Sequence, residues 1–579
     1  MASTCEGSAA VEKGIKGMRI DRLLLSEYKN LINFEVDFDE TSSRQVVVGR
    51  NGVGKSNLLE ALTRIFRDLD LEEDSQFGYE IEYQCNRHFV KIKASETTDD
   101  HHEVKSRTVP KFGREYWIVS EAKCAAVGDR TLKPYEEIGE TEFFRRNRPV
   151  NQRPNPDRLL PLYVFGYYSG AIPRFGNIFE KHEEKYFKDQ VAGVEAPLRP
   201  LFQAKPNHSQ FALLAFYATK DSAAQKYLEA EFRITGLDSV LFSLREPYWH
   251  QSKPSKDRRA SGDPRFWFAA GKVAPFLDSL FAHSFAPMSG EERIKISIGQ
   301  EKTKERRYCF LPNQASLQAL AKGLTNKEFF ARLESLVFSD LVDGNGADVR
   351  VWIRLKGIKE PATFQDLAEG ERQLLTVLGL MRFTAEKEAL FLLDEPDTHL
   401  NPAWCLDYLD NLRKYGAEPP NSQIIMTTHS PLTFAGMDKN EVVVMERGTD
   451  GRIFAEHPST APKGMGFAAI LTSDFFGMRS TLDRETLKKI DDKRDLALKS
   501  DKTDNDRRKL AELNDELGKL DFTHAVRDPL YEEFVRAITA ATKEHEDLKR
   551  PAPSPEMWRK RQQIAKDIAE RLLRIKTKQ

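Results

Sequence analysis

Three separated stretches carry residues whose types and spacing suit phosphate chemistry. Gly49-x4-Gly54-Lys55-Ser56 is a glycine-rich turn closed by a lysine and a hydroxyl. Glycines at 49, 52 and 54 let backbone N–H groups turn inward around phosphate oxygens, Lys55 reaches the β and γ phosphates, and the Ser56 hydroxyl ligates Mg²⁺. Asn51, Gly52, Gly54, Lys55, Ser56 and Asn57 are therefore the expected nucleotide contacts. Far downstream, Asp394-Glu395 closes the apolar run from Ala389 to Leu393. An aspartate so placed binds Mg²⁺ through water, and the glutamate beside it polarises an attacking water. An unpaired buried carboxylate is costly, which favours a cation at Asp394 over plain core packing. Ser56 and Asp394 are the expected metal ligands. His429 ends the next apolar run, Ile424-Ile-Met-Thr-Thr-His-Ser-Pro431, within reach of a γ-phosphate or its attacking water. Lys55, Glu395 and His429 form the expected catalytic set.

These residues need rigid elements to hold them. Residues 18–48 read as strands in short apolar and β-branched runs, and NLLEALTRIF after the glycine turn places Leu58, Leu59, Leu62 and Ile65 at helical spacing. The result is strand, phosphate loop, helix. ADVRVWIRL, FQDLAEGERQLLTVLGLM, ALFLLDE and QIIMTTHS then follow in alternating strand and helix order, the pattern of a parallel sheet buried on both faces. Between these blocks, 180–345 reads as a helical insertion, and its prolines at 247, 254, 264, 275, 287 and 312 exclude a long coiled-coil arm. The expected division is a polar lead at 1–17, an ATPase lobe at 18–179, the insertion at 180–345, a second ATPase lobe at 346–480 and a helical C-terminal region at 481–579.

With 579 residues, 40% hydrophobic and 31% charged, the chain has the balance of a folded protein with sizeable cores. Its 88 basic and 89 acidic side chains exclude a uniformly basic coat but not a local patch. Two segments are locally basic: 145–158 holds five Arg against one Asp, and 549–579 holds ten basic against three acidic residues. Either could meet nucleic-acid phosphates, and either could equally be a solvated segment. In the tail, Ile564, Ile568, Leu572 and Ile575 share one helical face that needs a packing partner. Residues 483–521, with 12 acidic and 11 basic side chains, read as a solvent-washed helical pair. The five cysteines form no C-x-x-C pair, which favours reduced structural thiols, and no apolar run is long enough for a membrane span. A cytoplasmic protein without membrane contact is expected.

The series GRNGVGKSNLLEA, LAEGERQLL, LFLLDEPDTHLNP and IIMTTHSP resembles the ABC-type ATPase heads of the SMC, RecF and OLD-like group. The resemblance covers about 18–66 and 360–432. It implies an α/β head binding ATP and Mg²⁺, in which a signature sequence grips the γ-phosphate of a nucleotide held by a second copy. By position, Leu367-Ala368-Glu369-Gly370-Glu371 is that signature, with Ala368, Glu369, Gly370 and Glu371 as its nucleotide contacts; Thr398-His399-Leu400-Asn401 is the D-loop and His429 the switch histidine. Ala368 replaces the family's usual serine, so a hydroxyl contact is absent, and Asn401 stands where many transporters have aspartate. The glutamine-bearing loop of the family is best matched near Ser169, where no glutamine stands.

The strings LYVFGYYSG, LAEGERQLL and LTSDFFGMRSTLD further resemble ATPase subunits of bacterial anti-phage systems, the Septu PtuA group and its retron-associated relatives. That resemblance implies a dimer or higher homo-oligomer joined through the heads, an HNH endonuclease partner held by the C-terminal helices, and contact with DNA or RNA. A RecF-like or SMC-like DNA-repair ATPase is the alternative. A self-contained OLD-type nuclease is disfavoured because no Toprim glutamate and Asp-x-Asp pair follows EVVVME. The 310-residue gap between Asn57 and Leu367 disfavours a compact transporter ATPase.

Overall fold

The computed structural model describes residues 17–97, 102–104, 107–109, 111–127, 133–150, 153–170, 176–191, 200–250, 256–271, 273–297, 300–384, 388–415, 421–499, 501–520, 563–564, 566–568 and 570–571. The chain divides into two compact units, 1–478 and 479–579.

At the centre of the first unit is a seven-stranded sheet in the order Leu201–Gln203, Tyr163–Tyr168, Ala389–Asp394, Gln423–Thr427, Arg44–Gly49, Val442–Arg447 and Ile453–Glu456. Its strands pair in parallel except the last, which runs antiparallel to its neighbour. The unbroken apolar runs seen in the sequence follow from burial on both faces. Val46 and Val48 feed one core with Phe391, Leu393 and Met426, while Val47 feeds the other with Leu390, Leu392 and Ile425. The helix Lys55–Asp70 lies in that second core, its Leu58, Leu59, Leu62 and Ile65 buried to within 1% exposure. An antiparallel six-stranded sheet completes this core, in the order Leu31–Asp37, Arg19–Tyr28, Tyr79–Cys85, His88–Glu96, Phe112–Ser120, Glu136–Ile138. This is an α/β fold with the phosphate loop at the end of a central parallel strand.

The insertion differs from the helical expectation. Helices are present, among them Asn207–Ala218 and Asn326–Phe338. So are the long strands Ile234–Arg245, Met288–Ser297 and Gln300–Leu311, which join Val349–Leu355 and Ala362–Thr363 in an antiparallel sheet. One face of that sheet is polar, so charged residues alternate with apolar ones and blur into a loop or helix pattern when the pairing partner is unknown.

In the second unit, Arg484–Leu498 and Asp504–Lys519 form the helical pair read from the charge pattern. Lys489 reaches Glu485 on its own helix at 2.9 Å and Glu516 on the other at 3.2 Å. Of the basic tail, residues 563–564, 566–568 and 570–571 alone are described; Ile564 and Ile568 are helical and partly exposed, and Leu572, Ile575 and any partner contact lie outside the described residues. The 145–158 segment is more informative. Arg145 and Arg146 pair with Glu142, Arg148 with Glu72 and Arg158 with Glu388. Four of its five arginines thus pair with carboxylates of the chain, those of Arg145 and Arg148 at the exposed surface, where such pairs contribute little.

Candidate nucleotide site

The phosphate loop turns between Arg44–Gly49 and the helix Lys55–Asp70 because its glycines take backbone shapes that side chains resist. Gly54, at φ 92°, caps the helix, and a Cβ there would lie 2.8 Å from Asn30 Oδ1. Gly49 would place one 2.3 Å from the Met445 carbonyl oxygen. No acidic residue occupies the first turn of the helix, so its N-terminal amides and positive dipole end are left for an anion.

The loop encloses a cavity of about 220 Å³, lined by Asn51, Gly52, Gly54, Lys55, Ser56 and Asn57 together with Asn30, Glu395 and His429. The structure thus brings together all six loop residues singled out in the sequence and two residues more than 300 positions away. Lys55 Nζ donates to the Gly49 carbonyl at 2.9 Å and lies 3.0 Å from His429 Nε2. His429 Nε2 in turn lies 3.1 Å from Glu395 Oε1. Lysine, histidine and glutamate form a continuous polar chain along one wall.

Strand register sets this chain. Asp394 and Thr427 are paired across adjacent parallel strands, and the Thr427 hydroxyl donates to Asp394 Oδ1. The same threonine receives the Glu395 N–H on both its carbonyl and hydroxyl oxygens, each at 3.1 Å. Glu395 is thereby held at φ 50°, a left-handed conformation uncommon outside glycine. Behind this wall, buried Asp397 accepts from the Thr428 hydroxyl at 2.5 Å and from that of Thr433, bracing the backbone on either side of His429.

Electrostatics suit a phosphate ligand. Hydrogen bonding to His429 is the main cause that holds the Glu395 carboxyl below its usual range, so it stands ionised as a proton acceptor. Burial pushes Lys55 down to about 8, against the opposing pull of Glu395 and Asp394. Phosphate oxygens would restore its charge. Nucleotide binding should therefore take up roughly half a proton near pH 8 and almost none near pH 6, measured by calorimetry in buffers of different ionisation enthalpy. Affinity should fall as pH rises from 8 to 10, because binding then has to protonate the lysine.

Asp394 is fully buried at the strand end and does not itself line the cavity, whereas Ser56 does. A hydroxyl and a single carboxylate are hard oxygen donors, and among the described residues no group of three or more His, Cys, Asp or Glu is placed to cage an ion. This donor set fits Mg²⁺, which completes its shell with water and substrate phosphate.

The signature residues lie elsewhere. Ala368, Glu369, Gly370 and Glu371 do not line the Lys55 cavity. Glu371 accepts the Ala368 N–H at 2.7 Å as a cap of the helix Glu369–Thr384, Glu369 pairs with Arg372, and a Cβ at Gly370 would lie 2.6 Å from the His399 carbonyl oxygen. The segments 367–371 and 398–401 therefore touch each other. Ser169, at the end of Tyr163–Tyr168, donates its N–H to the Asp394 carbonyl at 3.3 Å and lies beside Thr398, placing that loop at the edge of the same strand ends.

Sequence reasoning missed Asn30, Thr427, Asp397 and Arg50. Asn30 sits in the turn between two antiparallel strands, donates to the Gly52 carbonyl at 3.1 Å and accepts from Asn57. Arg50 reaches the carbonyls of Phe476 and Gly477 at 3.3 and 3.2 Å. Their partners are remote in sequence, so no local pattern signals them.

Comparison with known proteins agrees with this geometry. The model described as an AAA ATPase domain matches residues 18–138, and an AAA domain model of the AbiEii type, from Type IV TA systems, matches 255–435. Septu protein PtuA from Bacillus mycoides is 32% identical over 136 residues, 23% of this chain and 18% of that protein. The retron Vc95 probable ATPase from Vibrio cholerae is 21% identical over 77% of each chain. The chain thus matches AAA ATPase models in two segments and is related in sequence to PtuA. The SMC head domain from Thermotoga maritima aligns with 76% of this chain and all of that one, at 11% identity and a TM-score of 0.29. No helix among the described residues is long and apolar enough to cross a membrane.

Proposed function

We propose that the chain is the ATP-hydrolysing subunit of an anti-phage defence complex, in which ATP-dependent pairing of two copies controls a partner HNH endonuclease held by the C-terminal helices. The observation that carries the reading is the wall formed by Lys55, His429 and Glu395 on the phosphate loop. Lys55 and the helix N-terminus bind and orient the β and γ phosphates. Glu395 accepts the proton of the attacking water, and His429, between lysine and glutamate, senses whether a γ-phosphate is present. Ser56, directly, and Asp394, through water, would hold Mg²⁺, which would supply neutralisation of phosphate charge. The signature at 367–371 lies outside its own chain's cavity, which favours its use across a pair of copies. Similarity to PtuA and to the retron ATPase supports the defence role and, with it, contact with a nuclease and with DNA or RNA.

Output to the nuclease has a physical route. Arg50 on the phosphate loop holds the carbonyls of Phe476 and Gly477, while Phe434, five residues after His429, packs on Phe475 and Phe476 at ring-centroid distances of 5.5 and 6.1 Å. Both halves of the site thus grip 475–477, directly before the second unit begins at 479. Arg50→Ala should leave ATP turnover in place while reducing phage protection, read by a phosphate-release assay beside plaque counts.

The reading is tested by searching the neighbouring reading frames for an HNH endonuclease and by challenging cells with phage when the chain is expressed with and without any such protein. Protection that needs both proteins is expected. Protection by this chain alone, or tight binding to DNA ends with no role for the partner, would move it to the repair ATPases.

A further inference from the structure

We infer that the polar face of the insertion sheet binds single-stranded nucleic acid. This gives the nucleic-acid contact proposed above an address, and it rests on that reading for the contact alone.

The sheet has two unlike faces. Val240, Phe242 and Leu244 of the strand Ile234–Arg245, with Cys309, Leu311, Val349 and Val351 beside them, are buried in the core. The alternate positions point away from it: Ser243 pairs in register with Tyr308, Arg245 with Arg306, and Leu241 with Arg350. Over this second face lies a cavity of about 660 Å³, three times the volume beside Lys55.

Five cations line it: Arg245, Arg293, Lys304, Arg306 and Arg350. Two are committed to the protein. Arg245 pairs with Asp340 at 2.6 Å, and nearly buried Arg306 takes both Glu292 and Asp348, at 2.5 and 2.7 Å. Those pairs use up two of the three carboxylates in the lining, and the third, Asp343, accepts the Asp348 N–H at 3.2 Å. Arg293, Lys304 and Arg350 remain without an ion pair among the described residues; Lys304 and Arg350 stand at positions that share a face with the partly exposed Tyr308 ring, while Arg293, in register with Thr303, enters the lining from the alternate position. Unmatched cations spread over a sheet surface track a phosphate backbone, and an aromatic ring among them gives a base a face to stack on. A duplex hides its base faces, which favours a single strand. No residue of this face belongs to the nucleotide cavity, so the two sites can be disabled separately.

The test uses the full chain and labelled oligothymidylate, oligouridylate and a blunt duplex, each of about 20 nucleotides, followed by fluorescence anisotropy over a salt series. The triple variant Arg293→Glu, Lys304→Glu, Arg350→Glu should lose at least about tenfold in affinity, and its salt slope should fall by about 2. Tyr308→Ala should weaken binding by roughly tenfold, with Tyr308→Phe close to wild type. ATP hydrolysis should persist in all of them. The milder variants Lys304→Gln and Arg350→Gln should show smaller losses in the same direction, which separates charge from misfolding. The two single-strand arms tell DNA from RNA. Wild-type affinity in the triple variant, equal binding of the duplex, or equal binding of polyglutamate would overturn the inference. Loss of hydrolysis in Glu395→Gln with strand binding intact would leave it standing, and an inactive wild type that still binds through this face would instead count against the ATPase reading.

Discussion

Glu395→Gln should retain ATP binding and slow hydrolysis by about 10²–10⁴-fold, the range removed when a positioned proton acceptor is lost. The substitution keeps the shape of the side chain and its hydrogen bond toward His429, 3.1 Å away in the native chain, while abolishing the charge. Its backbone should also stay in place, because the Glu395 N–H is held by Thr427 rather than by its own side chain. Single-turnover kinetics beside an equilibrium binding assay separate the two effects. Unchanged turnover would remove Glu395 from the chemical step. If paired copies are the ATP-bound state, the same variant should accumulate pairs, visible by light scattering with and without ATP.

Lys55→Ala acts earlier. Deleting the ammonium removes charge-assisted bonds to the phosphates, of which each contributes about 1.5–3 kcal/mol. Nucleotide affinity should fall by roughly 10–10²-fold, and phage protection should fall with it. The fold should survive, because Lys55 is buried at a position where its charge is disfavoured, as its pKa of about 8 records. The sign is definite. A lysine with a lowered folded-state value lets stability rise with pH between about 8 and 10.5, and the alanine variant should lose that rise. Protection of cells by Lys55→Ala at wild-type level would contradict the proposed ATP-dependent control.

The phosphate loop was legible because its chemistry is contiguous: glycine spacing, lysine and hydroxyl all lie within eight residues between an apolar strand and an apolar-periodic helix. Glu395 and His429 were legible for a related reason, since each follows an apolar run that only a doubly covered parallel sheet explains. What the sequence obscured depends on pairing across distance. Thr427 matters because its strand lies beside Asp394, Asn30 because a hairpin turn meets Gly52, and Asp397 because two threonine hydroxyls converge on it. The insertion sheet was hidden by its own asymmetry. In Gln300–Leu311, Lys304 and Arg306 lie on one face and Glu305 and Arg307 on the other, so no apolar alternation marks the strand until its pairing with Ile234–Arg245 is known. The arginines at 145–158 illustrate the converse, a conspicuous basic run whose charges are mostly answered by Glu142, Glu72 and Glu388.

The left-handed backbone at Glu395 carries a consequence for anyone hardening this protein against heat. Position 395 has a shape that glycine adopts freely and glutamate resists, by an amount on the order of 1 kcal/mol. A screen that rewards melting temperature alone would drift toward glycine there and discard the carboxylate. On the proposed mechanism, folding and turnover pull this one residue in opposite directions, so a thermostable library should keep position 395 fixed and seek its gains elsewhere.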